Sequence, residues 1–228
     1  MNPFLARLLE KPTALESEKI REHEVILERL CQETSELSSE KWLAGMGRMA
    51  PFRLKASGNL SRGTVESWQK ANAYVAQKIQ EGHAPIWEDI LQINSLLLGS
   101  ETREFRKVPI YIGPHQACPV EWLEESVRHF NDEILKIENH SSPLIAAALS
   151  QYSLVSIHPF VDGNGRTAAL LGDWILNLHG YLPMSFETRL DSLMGRFSDQ
   201  RALATPGNAI SKLIKNVCFS YELVLDKA

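Results

Sequence analysis

Apolar residues recur at three- and four-residue intervals along most of this chain, the spacing that lines one face of a helix. Val65, Trp68, Val75, Ala76 and Ile79 share such a face, with Thr64 as the start signal and Gly82 as the stop. Pro85 suits a first turn, and Ile86, Ile90, Ile93 and Leu97 continue one stripe to Gly99. A further helix opens at Pro119 and turns Leu123, Val127, Phe130 and Ile134 inward. Residues 142–157 are alanine-rich and apolar nearly all round, as a central buried helix would be. After a polar, Gly-rich turn, a helix from about Thr167 bears Leu170, Leu171, Trp174, Ile175 and Leu178, and Gly180 and Pro183 end it. The last helix carries Ile210, Leu213, Ile214, Val217, Cys218, Tyr221 and Leu225 behind Asn208 as its cap.

Two stretches depart from this pattern. Ala14 to about Leu37 is helical but highly charged, and residues 45–63, with Pro51, Gly58 and Asn59, read as a linker into the core. Only Phe105 to Ile112 alternates as a strand does, and Pro109 confines it to an edge or a hairpin. There is no internal repeat. The pattern predicts a mainly α domain with one small β element.

Composition narrows the class without naming a function. The 228 residues are 44% hydrophobic and 23% charged, ordinary for a globular chain able to bury a core. Lys and Arg number 24 against 28 Asp and Glu, a net charge of −4, which argues against bulk nucleic-acid binding. Cys31, Cys118 and Cys218 are far apart and form no CxxC pair, so buried thiols in a reducing compartment are expected. The five tryptophans, Trp42, Trp68, Trp87, Trp122 and Trp174, and His83, His115, His129, His140 and His179 read as packing or surface residues. No apolar run reaches membrane-spanning length, and the N-terminus lacks the uninterrupted apolar stretch of a signal peptide. A cytoplasmic protein is the default expectation, with leaderless export to another cell as the alternative.

Chemistry concentrates between the two most apolar helices, in His158-Pro159-Phe160-Val161-Asp162-Gly163-Asn164-Gly165-Arg166. Pro159 stops the preceding helix and pushes His158 toward an extended conformation. Gly163 and Gly165 let successive N–H groups face one way, and the helix that starts there adds its positive end. Arg166 offers a planar fork for phosphate oxygens. Asp162 is a hard oxygen ligand suited to Mg²⁺ shared with substrate phosphates. His158 can accept a proton near neutral pH. The competing reading is a surface turn ended by a helix-terminal histidine. A turn between two core helices has no need of His, Asp and Arg together, and this favours a nucleotide-phosphate site.

The same residues resemble the signature of the Fic (Fic/Doc) family, H-x-F-x-(D/E)-G-N-G-R-x-x-R, at every fixed position but the last. Glu104-Phe105-Arg106 through Ile112-Gly113 is similar to the family's β-hairpin flap, and Gly180-Tyr181-Leu182-Pro183 to the segment after its motif helix. The resemblance implies a Fic-type helical bundle with a small flap over residues 61–228, preceded by an N-terminal helical extension and linker over residues 1–60. It implies a protein adenylyltransferase that moves AMP from Mg-ATP to a Ser, Thr or Tyr hydroxyl of an unidentified target protein. His158 would be the general base and Asp162 the Mg²⁺ ligand. Gly163, Asn164, Gly165 and Arg166 would hold the nucleotide phosphates, and Phe160 would anchor the loop. Lys107, Val108, Pro109, Ile110 and Tyr111 would clamp the target by strand addition.

Two departures bear on that expectation. The final signature Arg falls at Ala169, which weakens the usual grip on the terminal phosphates. Many relatives also carry an inhibitory (S/T)-x-x-x-E-(G/N) helix whose Glu pairs with that Arg. Here the N-terminal candidate, Ser57 to Arg62, has Ser61 in place of Glu, and the C-terminal one, Ser211 to Asn216, has Lys215. Both members of the inhibitory pair are absent. The alternatives are therefore transfer of another group (UMP, phosphate or a different phosphate-linked moiety) and a non-catalytic nucleotide-binding module.

Overall fold

The computed structural model describes residues 2–54, 62–100, 104–187 and 205–227. The chain runs through α1 (Pro3–Leu8), α2 (Ala14–Ser35), α3 (Ser39–Leu54), α4 (Arg62–Gln80) and α5 (Trp87–Leu98). A hairpin of β1 (Tyr111–Ile112) and β2 (His115–Gln116) follows, then α6 (Leu123–His129), α7 (Pro143–Ile157), α8 (Asn164–Leu178) and α9 (Pro206–Leu225). The fold is mainly α, as the periodicity predicts.

Helix α7 is the centre. Ser142 caps it by accepting the Ile145 N–H at 3.3 Å, and Pro143 fills its first turn. Ala146, Ala147, Leu154 and Ile157 are fully buried, because α8 packs along one side of α7 and α9 along another. Burying every side of a helix needs partners all round, and its alanines let them come close. Helices α4 and α5 lie on the outer side of α8, where Ala71, Val75, Ile93 and Leu97 meet Leu170 and Trp174 in a second apolar cluster. The tryptophans pack in these two clusters, as read from the sequence. The three cysteines are free thiols, and burial pushes the Cys218 thiol up to about 12.

The N-terminal helices share the main core. Thr13 and Glu16 form a capping box at the start of α2. From there Ile20, Leu27 and Leu30 bury against α9 while the opposite, charged face stays solvated. Residues 45–54, read as the start of a linker, are instead part of α3. The reason is packing: a Cβ on Gly45 would lie 2.7 Å from the Val224 backbone, so glycine is what lets α3 approach α9. Arg48 then donates to the Leu223 and Val224 carbonyls at 2.7 and 2.8 Å, satisfying the end of α9.

Other boundaries also shift. Helix α4 begins at Arg62 rather than Thr64, α8 at Asn164 rather than Thr167, and α9 is capped by Thr205, not Asn208. The extended stretch predicted from Phe105 forms a strand only at Tyr111, with one further rung where the Ala117 N–H donates to the Ile110 carbonyl at 3.0 Å. Pro109 has no N–H to contribute to a ladder. Arg106 folds inward instead of alternating outward, and of the five flap residues predicted only Tyr111 lies in a strand. No described helix is long and apolar enough to cross a membrane.

Candidate active site

The turn joining α7 to α8 carries the candidate residues, and α5 and the segment ahead of the hairpin help to hold it. Helix α7 ends at His158, which adopts a left-handed conformation (φ 54°, ψ 56°) while its N–H donates to the Leu154 carbonyl at 2.9 Å. The extended geometry expected before Pro159 is therefore corrected: the helix terminates through a left-handed cap, and Pro159 blocks its continuation. A non-glycine residue in this region is strained by about 1 kcal/mol or more, and such strain gathers at functional sites.

His158 is buried, at 8% exposure, and its Nδ1 lies 3.1 Å from the Val155 carbonyl. A carbonyl only accepts, so Nδ1 carries the proton and Nε2 keeps a lone pair. Nε2 has no protein partner among the described residues. Burial holds the imidazole below its ordinary value; the hydrogen bond to Val155 works against this, the Arg106 cation works with it, and the Asp162 carboxylate opposes it. His158 is thus neutral at neutral pH, the state a proton acceptor needs.

Phe160 is fully buried, and its ring stacks on Trp87 of α5 with centroids 6.0 Å apart. Its backbone is gripped on both sides by Asn164, whose Oδ1 accepts the Phe160 N–H at 3.0 Å and whose Nδ2 donates to the Phe160 carbonyl at 2.8 Å. The Asn164 side chain, expected to hold phosphate, is 1% exposed and spends both of its polar ends bracing the loop. What it leaves for an anion is its backbone N–H at the first position of α8.

Gly163 caps α8 in a left-handed conformation (φ 80°), and no side chain bonds the first-turn amides. A Cβ there would also stand 2.6 Å from Asn94 Nδ2, so space and torsion both require glycine. The N–H groups of Asn164, Gly165 and Arg166 precede the first intrahelical bond, from Thr167 N–H to the Gly163 carbonyl. Asp162 stands on the rim with its side chain 74% exposed; Oδ1 accepts the Gly163 N–H at 2.6 Å and Oδ2 faces Arg166 Nη2 at 3.4 Å. Ala169, one turn beyond Arg166, is half-buried. His158, Asp162, the first-turn amides and Arg166 thus all lie on this one turn, with Asp162 paired to Arg166.

Three holders of the loop escape the sequence reading. Trp87, which reads from the sequence as a packing residue, stacks on Phe160. Asn94 is fully buried and donates to the Asp162 carbonyl at 3.0 Å and to Thr167 Oγ1 at 3.2 Å. A polar residue on the Ile90–Ile93–Leu97 stripe was the available signal. Arg106, 2% exposed, donates to the His158 carbonyl at 2.7 Å. His83, read as a packing or surface residue, pairs with buried Asp89 at 3.1 Å, as does the Tyr74 hydroxyl at 2.6 Å. Ser57 to Ser61 of the N-terminal inhibitory candidate lie outside the described residues.

Known proteins are similar to this chain in sequence and in fold. The curated protein adenylyltransferase Fic of Nematostella vectensis is 38% identical over 120 residues, covering 50% of this chain and 28% of that protein. The protein of the same name from Drosophila virilis is 39% identical over 119 residues, covering 50% and 24%. The chain therefore matches only about a quarter of the length of these relatives. Among solved structures, a fragment of Fic-1 from C. elegans aligns with a TM-score of 0.65 at 20% identity, over 93% of this chain and 72% of that one. A Fic domain-containing signaling protein from Bacteroides thetaiotaomicron aligns with a TM-score of 0.62 at 18% identity, over 92% and 98%. These structures share the fold. The Fic/DOC family profile matches residues 87–176, the span from α5 through α8 that carries the turn. With its signature turn set between α7 and α8, the span from α5 through α8 is similar to the Fic/DOC family.

Proposed function

We propose that this chain is a protein adenylyltransferase that moves AMP from ATP to a side-chain hydroxyl of a target protein. The observation that carries the reading is the His158 imidazole, buried, neutral and tautomerically fixed by Val155, at the mouth of a helix N-terminus with uncapped amides. The likeness to proteins named protein adenylyltransferase Fic supports the AMP donor, and a solved relative of 17% identity, IbpAFic2 in complex with adenylylated Cdc42, supports a protein acceptor.

His158 Nε2 takes the proton of the target hydroxyl as its oxygen attacks the α-phosphorus of ATP. The new bond is O–Pα, the bond from Pα to the bridging oxygen of the β-phosphate breaks, and pyrophosphate leaves. The amides of Asn164, Gly165 and Arg166 face the charge that develops on the phosphate, and such preorganised donors are often the largest catalytic contribution. Arg166 grips the leaving phosphates.

The residues fit a magnesium ion. Asp162 is an exposed hard-oxygen donor, and the described residues hold no group of three or more His, Cys, Asp or Glu that would bind a metal without substrate. Mg²⁺ is commonly bound by one or two carboxylates, water and substrate phosphates. Asp162 would hold it, and its charge would offset that of the nucleotide. The flap, Lys107 to Tyr111 with its β1 edge, would receive the target as an added strand; Val108 and Tyr111 are exposed there, at 55% and 64%. By this reading residues 61–228 form the catalytic core and residues 1–60 an extension whose α2 and α3 pack on α9.

The test supplies ATP labelled at the α-phosphate or, separately, at the γ-phosphate, with Mg²⁺ and a cell lysate. Label carried to protein from the α-position alone establishes AMP transfer. Ala169 favours a second reading, transfer of phosphate from a donor bound in another pose, and γ-label on protein selects it. No transfer from either position overturns both readings.

Two further outcomes are expected. Ala169→Arg restores a charged phosphate contact worth about 1.5–3 kcal/mol and lowers the KM for ATP about tenfold or more, measured by titrating ATP at fixed target. Because burial lowers the His158 value from its usual 6.5, the acid limb of the rate profile has its midpoint below pH 6.5. Folding shows the linked effect. The unfolded imidazole takes up a proton as pH falls through 6.5 while the folded one does not, so thermal stability drops from there down to the folded value. His23, also lowered by burial, adds in the same direction.

A further inference from the structure

Arg106 is a cation sealed inside the protein with no carboxylate paired to it among the described residues. Removing a charge from water without an opposite charge is costly, so its hydrogen bonds must replace its hydration in full. Those bonds join the end of α7 to the flap. Nε donates to the His158 carbonyl at 2.7 Å, Nη1 to Val108 at 2.8 Å, and Nη2 to Ile157 at 3.4 Å and to the Cys118 carbonyl. The Arg106 N–H donates to the Pro159 carbonyl at 2.9 Å, and the Cys118 N–H, across the flap, to Ser156 at 3.2 Å. Four consecutive carbonyls, from Ser156 to Pro159, are therefore held by the two legs of the flap.

These carbonyls are at the C-terminal end of α7, where helix geometry leaves acceptors unpaired and a cation is favoured. They flank the strained left-handed residue that carries the base. A planar guanidinium can serve three directions at once; a lysine ammonium is a single point on a flexible stem. We propose that Arg106 is a positioning residue that locks the backbone of the His158–Pro159 turn to the flap, so that the catalytic imidazole keeps its working orientation only while the base of the flap is in place. The proposal rests on the adenylyltransferase reading for the imidazole's task, but not for the lock itself.

The Arg106→Lys variant keeps a positive charge at the end of α7 and loses the fan of donors. The expected result is a folded protein whose kcat falls about a hundredfold, the scale of a small misplacement of a catalytic group, with the KM for ATP nearly unchanged. Nitrogen-15 spectra of the His158 ring should pass from one Nδ1-protonated tautomer in the native protein to a mixture in the variant. A folded variant with native kcat and a single native tautomer overturns the proposal, since a cap that only stabilises the helix end would give that result. If the variant does not fold, amide hydrogen exchange in the native protein decides. The amides of Arg106, Cys118 and His158 should open with one shared free energy. Arg106 and Cys118 amides that exchange orders of magnitude faster than that of His158 show separate openings and overturn the lock. A native protein that transfers nothing defeats the proposed activity alone, because the tautomer and the exchange pattern still report on Arg106.

Discussion

Replacing His158 with asparagine is expected to lower AMP transfer about 100- to 10,000-fold, the contribution of a positioned general base, while the fold survives. Asparagine tolerates the left-handed backbone that His158 adopts and cannot take the proton. Alanine at the same position removes the base equally but pays the left-handed strain, about 1–2 kcal/mol, so its melting temperature falls where that of the asparagine variant does not. Label transfer from ATP measured beside a thermal melt separates the two effects. The nucleotide should still bind both variants, because the first-turn amides and Arg166 are untouched. Native transfer rates in folded His158→Asn would remove His158 from the chemistry.

The second large effect is expected at Asn164. Its side chain satisfies the N–H and the carbonyl of buried Phe160, and Asn164→Ala strands both groups. Leaving a buried donor and a buried acceptor unpaired costs about 1–3 kcal/mol each. Even the low end of that range would shift the melting temperature by several degrees in a domain of this size. Activity should fall further than stability, because Phe160 sits between His158 and Asp162 and its release frees both. Asn164→Asp restores the acceptor for the Phe160 N–H but sets a carboxylate oxygen against the Phe160 carbonyl, so it should rescue little. If Asn164→Ala melts like the native protein and loses only nucleotide affinity, the amide ligates phosphate directly and the bracing role is wrong.

The two predictions mark different degrees of legibility in the sequence. His158 was visible as a base candidate because its neighbours, Asp162, Gly163, Gly165 and Arg166, are contiguous in sequence and belong to one loop. The bracing role of Asn164 was not visible. Spacing says that a side chain is near a loop, but not which of two possible partners satisfies it. Arg106 and Asn94 were hidden for a stronger reason, since they reach the turn from 52 and 68 residues away in the chain. The linker expected at Gly45 failed similarly: glycine reads as a break unless a second helix is known to pass against it.

The sequence by itself determined the helical periods, the central apolar helix and the turn that gathers His158, Asp162 and Arg166, because these depend on neighbours within a few residues. The tertiary structure alone decided the left-handed backbone and single tautomer of His158, the full use of Asn164 by Phe160, and the burial of Arg106 against four carbonyls. Each is an accounting of buried polar groups. Such an account closes only when distant segments are brought together, since the partner that satisfies a buried donor is chosen by packing and not by proximity along the chain.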